Sequence, residues 1–481
     1  METIIDHTTT TDTATHATSR APRRWLALTV LALAQFLVVL DASIVNIALP
    51  SLGSQLHMGT TALSWVITAY VLPFGGLLLL GGRLADRFGH RRLFLTGTAG
   101  FVIASAAAGL SVSGTMLLAS RAVQGASAAM LAPASLALVT QIFLTTSERA
   151  KALGVWGAVA GAGSAAGVLL GGILTSGLGW EWVFFVNLPV AAVVLITIPR
   201  LITRDSAGER TPLDLPGAFS VTAGLTAIVG ALSQIDRLGF THPVVIGLGA
   251  LGVALLGTFI AIEKRSATPL VPLRIFSNPS VRGGNLAMLF IGGATTGVFF
   301  ALSIYMQAVL GYDALKSGLT QLPLAGTLVL VAGAVPALIG RVGLRTTVAG
   351  SLSILAGGLG WLSMAPADAS FVQNLLGPSL LIGIGLAGAF VAGTQLAVQG
   401  VEVAEAGLAS GLVNTSQQIG GAVGLATLTT ISTNHTTHLL ASGTTTAQAL
   451  TAGLDWAFAG AGVLAFAGAV AVTIFVRQNQ A

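Results

Sequence analysis

Residues 82–92 read GRLADRFGHRR and separate two apolar segments, residues 61–81 and 93–113. Each segment has about 20 residues, which is the length that a helix needs to cross the hydrocarbon core of a bilayer. Charged residues that flank such segments lie in the water at the membrane surface. Residues 82–92 are therefore predicted to form a short charged turn between two membrane-spanning helices.

The composition of the whole chain agrees with this interpretation. Of 481 residues, 54% are apolar and 8% are charged, whereas a soluble domain carries about 25% charged residues. Glycine occurs 61 times, and small residues bring membrane helices into close contact. Cysteine is absent, which excludes disulfides and thiolate metal sites. We expect a membrane protein that is not an enzyme and that carries no metal and no cofactor.

Charged clusters and Pro, Gly and Asn clusters divide the chain into the segments of an all-α integral membrane protein with 14 transmembrane helices. The segments lie near residues 25–48, 61–81, 93–113, 115–140, 153–174, 181–199, 215–235, 243–262, 283–310, 317–339, 346–366, 371–395, 408–432 and 453–476. The first apolar stretch has about 25 residues, whereas the apolar core of a secretory signal peptide has roughly 7–15. It is therefore predicted to remain as the first span, behind a disordered cytoplasmic tail, residues 1–24.

The basic residues support this topology, because lysine and arginine gather in the cytoplasmic loops of membrane proteins. With the N-terminus inside, 19 of the 22 lysine and arginine residues fall in cytoplasmic segments. Arg237 and Lys316 fall outside, and Arg121 falls within the fourth span. We expect both termini in the cytoplasm and a location in the cytoplasmic membrane. Basic residues dispersed over short loops do not indicate nucleic-acid binding.

A short internal repeat divides the chain into two halves. The letters GRL and GHR follow the second span, and GRV and GLR follow the tenth. Transporters are often built from two homologous halves. The predicted parts are a six-helix bundle (25–199), a linker with two extra helices (200–281), a second six-helix bundle (282–477) and a cytoplasmic tail (478–481).

The loop at residues 82–92 resembles the signature loop between the second and third spans of the major facilitator superfamily. Over residues 25–477 the chain resembles that superfamily's fourteen-span drug:proton antiporters. The resemblance implies the major facilitator fold and a loop that controls the switch between inward- and outward-facing states. Its residues are Gly82, Asp86, Arg87, Gly89 and Arg91. We expect a tight turn at Gly89, and Asp86 paired with an arginine or a helix N-terminus.

Asp41 lies in the stretch LDASIVNIALP, which resembles the first-helix motif of the fourteen-span exporters. It is the one acid of 17 that the predicted topology places well inside a span. A carboxylate there costs about 2.5–3.5 kcal/mol unless it faces water or a partner, so we expect Asp41 to line a cavity. Removal from water favours a protonated carboxyl group, which makes Asp41 the expected proton carrier. The alternative is a carboxylate that only hydrogen-bonds a neighbouring helix. Asn46 is assigned to interhelical hydrogen bonding.

Arg121 lies in the stretch LLASRAVQGAS, which resembles the antiporter-associated motif of the superfamily's fourth span. Gln124 and Gly125 share its helix face, because residues three and four apart are neighbours. A guanidinium is permanently charged, and at this depth it can hold a proton-carrying carboxylate ionised until its surroundings change. The resemblance implies a role in proton coupling. The alternative is an arginine satisfied by backbone carbonyls and Gln124.

The fifth span carries glycines at four-residue spacing, which form a smooth face against which another helix can pack and slide. They resemble the motif that distinguishes antiporters from uptake carriers: Gly157, Gly161, Gly163, Gly167, Gly171 and Gly172. Val168 stands where the family usually has proline, which leaves import open as an alternative to export.

Two other patterns are set aside. Residues 383–388 match G-x-G-x-x-G, but they lie within an apolar segment and not after a strand, so they do not indicate a dinucleotide site. His435 and His438 lie in a predicted Thr-rich external loop, where we expect solvated side chains and not a metal site.

The resemblance implies proton-coupled export of a drug, an antibiotic or a related small molecule by alternating access, with the proton as coupling ion. The alternatives are a carrier or importer of an endogenous metabolite, and a membrane sensor of the same fold that transports nothing. The expected partners are a small molecule, protons and the lipid bilayer, and the protein is expected to act as a monomer. The residues expected to line the substrate cavity are Gln35, Tyr70, Gln124, Asn285, Tyr305 and Gln307.

Overall fold

The structure is a computed structural model that describes residues 21–143, 146–203, 214–267, 269–401 and 406–476. Over these residues the chain forms helices and no strand, which confirms the predicted all-α fold. Most of the predicted N-terminal tail and all of residues 478–481 lie outside the described residues.

The helices follow one another with short connections. The first seven are α1 (Ala21–Gln55), α2 (Thr60–Phe88), α3 (His90–Gly109), α4 (Gly114–Ile142), α5 (Thr146–Gly177), α6 (Trp182–Phe185) and α7 (Asn187–Leu201). The next two are α8 (Leu215–Leu238) and α9 (Pro243–Arg265). The last seven are α10 (Pro279–Ile304), α11 (Ala314–Ala332), α12 (Val335–Val342), α13 (Leu344–Leu362), α14 (Leu376–Val398), α15 (Ala406–Ala441) and α16 (Thr446–Phe475). A 3₁₀ turn (Leu273–Ser277) precedes α10, and π-helical turns follow α10 (Tyr305–Val309) and precede α14 (Phe371–Leu375).

Eleven helices of the described residues are long and apolar enough to cross a membrane, with α6 and α7 counted as one. Three further helices also have the length of a span: α5 with 32 residues, α13 with 19 and α15 with 36. The chain is therefore a multi-pass membrane protein.

The tenth predicted span, residues 317–339, is not continuous. The structure divides it into α11 and α12. Pro336 lacks an N–H, and its ring clashes with the carbonyl four residues earlier, at Ala332, which is where α11 ends. The prediction of one uninterrupted helix here is wrong.

The thirteenth predicted span, residues 408–432, is longer in the structure. α15 continues to Ala441, so His435 and His438 lie on a helix and not in a loop. Thr436 and Thr437 donate to carbonyls one turn earlier, at 2.9 Å each. These bonds satisfy the hydroxyl groups within the helix, and a Thr-rich segment can therefore stay helical.

Helix packing in the first part of the chain recurs in the last part. α1 packs on α5 and α7, α2 on α4, and α3 on α4 and α7. α10 packs on α15 and α16, α11 on α14, and α13 on α14 and α16. The two sets of contacts correspond helix for helix. Contacts of α2 with α15 and of α5 with α11 join the sets, while α8 and α9 pack on each other.

The short sequence repeat also recurs in the backbone. Gly89 separates α2 from α3 with φ 95°, and Gly343 separates α12 from α13 with φ 82°. Glycine adopts such angles without a steric cost. The predicted tight turn at Gly89 is confirmed, and its counterpart lies in the second copy.

Gly125 lets α4 approach α2 closely. A Cβ atom there would lie 2.1 Å from the carbonyl oxygen of Tyr70. We expect Gly125→Ala to force the helices apart and to destabilise the protein by about 1–3 kcal/mol. Gly247→Ala on α9 is the matched control, because nothing lies within 4 Å of an added Cβ and alanine favours helix by about 1 kcal/mol. Thermal unfolding of both purified variants checks this, and equal melting temperatures would contradict the close contact.

Candidate functional site

Asp41 lies in the middle of α1 and is 0% exposed. Its Oδ2 lies 2.5 Å from Nη1 of Arg121. Its Oδ1 accepts hydrogen bonds from Nε2 of Gln124 and Nδ2 of Asn187, both at 3.0 Å. All three neighbours donate, as an ionised carboxylate requires. The sequence predicts that Asp41 lines a cavity, whereas the structure encloses it among side chains of α4 and α7.

Arg121 lies on α4 and is 1% exposed. Besides Asp41, it donates from Nε to the carbonyl of Val66 at 3.1 Å and from Nη1 to Oε1 of Gln124 at 2.8 Å. Its guanidinium carbon lies 4.4 Å from the ring centre of Tyr70, which is within the range of a cation–π contact. Both predicted alternatives are therefore present: Arg121 pairs with a carboxylate, and it also donates to a backbone carbonyl and to Gln124.

Ser105 of α3 completes the set of polar side chains. Its Oγ accepts from Nε2 of Gln124 at 2.6 Å and from Nδ2 of Asn187 at 3.1 Å. Ser105, Gln124 and Asn187 are each 0% exposed. We call these three residues, together with Asp41 and Arg121, the Asp41–Arg121 network. It links α1, α3, α4 and α7.

The charges of Asp41 and Arg121 determine which chemistry the network can support. Opposite charges attract strongly inside a protein, and removing one partner leaves an uncompensated buried charge. A protonated carboxyl group is itself a donor at one oxygen. A protonated Asp41 would donate from one of the two oxygens that now only accept, so the hydrogen bonds of the network would change. Because the network joins α1, α3, α4 and α7, such a change would act on all four helices.

Residues 82–92 were predicted to form a turn, but the structure reduces the turn to Gly89: residues 82–88 end α2 and residues 90–92 begin α3. Asp86 is exposed, and its Oδ1 lies 3.2 Å from Nε2 of His90, the first residue of α3. Arg83 donates to the carbonyl of Pro269 in the segment before α10, and Nη2 of Arg91 donates to the carbonyl of Pro199 at 3.1 Å. The loop is thus bound to segments on both sides of α8 and α9.

The glycine face of α5 packs against α1. Added Cβ atoms would lie 3.2 Å from the Phe36 carbonyl oxygen at Gly163 and 2.9 Å from the Ile44 carbonyl oxygen at Gly171. Gly167 faces the same helix, and Gly172 faces the Ala314 carbonyl of α11. At these four positions α5 therefore lies close to a neighbouring helix. Gly157 and Gly161 lie in α5, but their surroundings are outside the described residues.

Two of the other predicted cavity residues, Tyr305 and Asn285, have structural partners. Tyr305 donates to the carbonyl of Pro366 at 2.6 Å, and Asn285 accepts from Ser416 Oγ at 2.9 Å. Oε1 of Gln35 is buried without a hydrogen-bond partner among the described residues. Asn46, assigned to an interhelical bond, donates instead to Ala42 of its own helix. A substrate-binding role for the six predicted cavity residues stays a prediction: Gln35, Tyr70, Gln124, Asn285, Tyr305 and Gln307.

A cavity of about 440 Å³ opens where α1 and α5 end and α11 begins. Its lining is mostly polar: Pro50, Ser51, Ser54, Thr175, Ser176, Gln307, Tyr312, Asp313 and Ala314. Gln307 donates to the Ile47 carbonyl at 2.9 Å, and the Leu315 N–H donates to Ser176 Oγ at 3.0 Å. These two bonds hold α1 and α5 to the segments that follow α10.

Comparison with known families identifies this architecture. Residues 31–425 match the family model of the Major Facilitator Superfamily. The chain belongs to this superfamily. It is a membrane transporter and not an enzyme.

Relatives within the major facilitator superfamily include proteins named for antibiotic resistance or antibiotic export. The chain is 42% identical to the puromycin resistance protein pur8 of Streptomyces alboniger, over 87% of this chain and 84% of that protein. It is 43% identical to the cephamycin export protein CmcT of Amycolatopsis lactamdurans, over 87% of each. The fold is similar to that of an auto-inhibited POT family peptide transporter, with TM-score 0.69, 15% identity, and coverage of 96% of this chain and 98% of that one.

Sequence reasoning missed two members of the Asp41–Arg121 network. No role was predicted from the sequence for Asn187 or for Ser105. Asn187 is a polar amide among apolar residues at the start of α7, and such residues in membrane helices mark functional or interhelical contacts. Ser105 gives no comparable signal, because serine is common where membrane helices pack.

Proposed function

We propose that this transporter exports an antibiotic or a related small molecule in exchange for protons, by alternating access. The observation that carries this proposal is the buried Asp41–Arg121 pair, a titratable carboxylate with a fixed cation in a membrane transporter. One proton that moves down a potential of 100 mV supplies about 2.3 kcal/mol. One or two protons per cycle are therefore enough for substantial accumulation of the exported compound outside.

The architecture proposed for this function has fourteen spans. The first six-helix bundle (25–199) comprises α1–α7, with α6 and α7 counted as one span. The second (282–477) comprises α10–α16, with α11 and α12 counted as one span. α8 and α9 form the insert (200–281). The corresponding helix contacts of the two sets support this division. The distribution of basic residues supports cytoplasmic termini in the cytoplasmic membrane, and we propose a monomer as the working unit.

The transport cycle then follows from the charges of the network. With Asp41 ionised, Arg121 and the two amides hold α1 against α4 and α7. Protonation of Asp41 removes the negative charge that attracts Arg121, so that α1 can shift relative to its neighbours. α1 also contacts α5 and α11, and its movement is transmitted to the junction between the two bundles. We propose that the 82–92 loop sets the balance between the two states.

The direction of transport is proposed from the relatives. Proteins named for cephamycin export and for puromycin resistance share more than two fifths of their aligned residues with this chain. We propose puromycin and cephamycin as the first compounds to test. The cavity at residues 50–54 lies on the side that the basic residues indicate to be external, where exported compounds leave.

Two measurements test this function. Cells that overproduce the protein are expected to tolerate more puromycin or cephamycin than cells that lack it. Proteoliposomes are expected to accumulate the same compound only when a pH step is applied across the membrane. Transport that is unaffected by the pH step would rule out proton exchange, and unchanged susceptibility together with no transport of either compound would rule out export of this class.

A further inference from the structure

Three buried side chains of α10 and α11 carry polar atoms without a hydrogen-bond partner among the described residues. Gln321 is 1% exposed, and both its Nε2 and its Oε1 are unpaired. Ser303 and Ser317 are each 0% exposed, and their Oγ atoms are unpaired. A polar group buried without a partner destabilises the folded state. Four such atoms on two neighbouring segments are not explained by packing.

These side chains lie beside a junction of the two bundles. Ile47 of α1, Val168 of α5 and Ala314 of α11 pack together there. Ser317 and Gln321 follow Ala314 by three and seven residues, so all three share one face of α11. Because Ala314 packs on Ile47 and Val168, this face of α11 is the one that lies toward α1 and α5.

Ser303 approaches the same junction from α10. Gln307, four residues further on, donates to the carbonyl of Ile47. Ser303 lies about one turn before Gln307 on the same segment. Met306 of the same segment accepts from Thr320 Oγ at 3.1 Å, which holds α11 beside it.

The depth of these residues matches that of the Asp41–Arg121 network. An added Cβ at Gly318 would lie 2.6 Å from the Val168 carbonyl oxygen, and one at Gly167 would lie 3.1 Å from the Leu40 carbonyl oxygen. Gln321 is one turn beyond Gly318, which places it within about one helical turn of the depth of Asp41.

We propose that Ser303, Ser317 and Gln321 form a subsite that binds the neutral hydrogen-bonding groups of the exported compound, namely its amide, hydroxyl or carbonyl groups. This inference rests on the proposed export function. The amide of glutamine offers two donors and one acceptor, and each serine hydroxyl offers both. The three side chains carry no charge, so they select for hydrogen-bonding groups and not for cations. A compound that lacks such groups leaves the buried atoms unpaired and is rejected.

Binding of puromycin and cephamycin to the purified full-length protein tests the subsite by titration calorimetry. Gln321→Leu is expected to raise the Kd of the bound compound at least tenfold, and Ser317→Ala at least threefold. Gln373→Leu is the matched control, because Gln373 is exposed in the π-helical turn before α14, and its Kd is expected to equal that of the wild type. Melting temperatures of Gln321→Leu and Ser317→Ala are expected to stay at or above the wild-type value, because each change removes an unpaired buried group.

The outcomes separate the subsite from the export function. If the wild type binds and both Gln321→Leu and Ser317→Ala bind equally well, the side chains hold only water and the subsite is refuted. If Gln321→Leu does not fold, Ser317→Ala and Ser303→Ala decide in the same way. A lower melting temperature with an unchanged Kd assigns the residues to packing and also refutes the subsite. If the wild type neither binds nor transports either compound, the export proposal itself fails, and the subsite for it fails as well.

Discussion

Asp41→Asn is expected to abolish transport that is driven by a pH gradient. Asparagine has nearly the same shape as aspartate, but it neither takes up nor releases a proton. Oδ1 of Asp41 accepts from two amides and Oδ2 from Arg121, so the variant also loses the charge that Arg121 faces. Uptake of puromycin into proteoliposomes under a pH step measures the effect, and the rate is expected to fall to that of empty vesicles.

Two controls distinguish this loss from misfolding. Asp368→Asn changes the same functional group in the exposed connection between α13 and α14, and it is expected to transport at the wild-type rate. The Asp41→Asn protein is expected to exchange internal for external puromycin without a pH step, because exchange moves no net proton. Wild-type uptake by Asp41→Asn under the pH step would exclude Asp41 as the proton carrier.

Arg121→Met is expected to have the largest effect on stability. The substitution leaves the fully buried carboxylate of Asp41 without its cation, and breaking a buried ion pair in this way costs roughly 3–5 kcal/mol. It also removes the donors to Val66 and Gln124 and the contact with the Tyr70 ring. Thermal unfolding of the purified protein is expected to occur at a clearly lower temperature, and pH-driven transport is expected to be absent.

The double variant Asp41→Asn/Arg121→Met separates charge from packing. Replacing both partners of a buried pair by neutral groups is often close to neutral for stability, so the double variant is expected to be more stable than Arg121→Met alone. Lys316→Met, at an exposed position of α11, is expected to unfold at the same temperature as the wild type. An Arg121→Met protein as stable as the wild type would show that the pair does not hold α1 and α4 together.

Much of the fold could be predicted because each feature depends on local sequence. Apolar length predicts the helices, and charged clusters predict most of their ends. Gly89 had to adopt a conformation that favours glycine, since only one residue separates α2 from α3. The four-residue spacing in α5 predicted a close helix contact, and α1 supplies it. Pro336 was a visible signal for the break between α11 and α12, but the continuous apolar pattern across it outweighed the signal.

The site could be predicted only in part, because it depends on how helices are rotated about their axes. Asp41 and Arg121 were each found from charge inside an apolar segment, yet they are 80 residues apart, and a direct bond between them was one of several alternatives. Tyr70 was expected in a cavity, whereas its ring lies against the Arg121 guanidinium. Gln321 gave no motif at all. Gln321 belongs to the proposed subsite only because its buried amide has no hydrogen-bond partner in the described part of the fold.

Proton release during binding tests the central claim, that substrate and proton are coupled through Asp41, most directly. Puromycin is added to the purified wild-type protein in weakly buffered solution, and the pH of the solution is recorded. The account predicts acidification by the wild type and by Asp368→Asn, and no acidification by an Asp41→Asn protein that still binds puromycin. Binding by the wild type without a pH change, or equal proton release by Asp41→Asn, would contradict it.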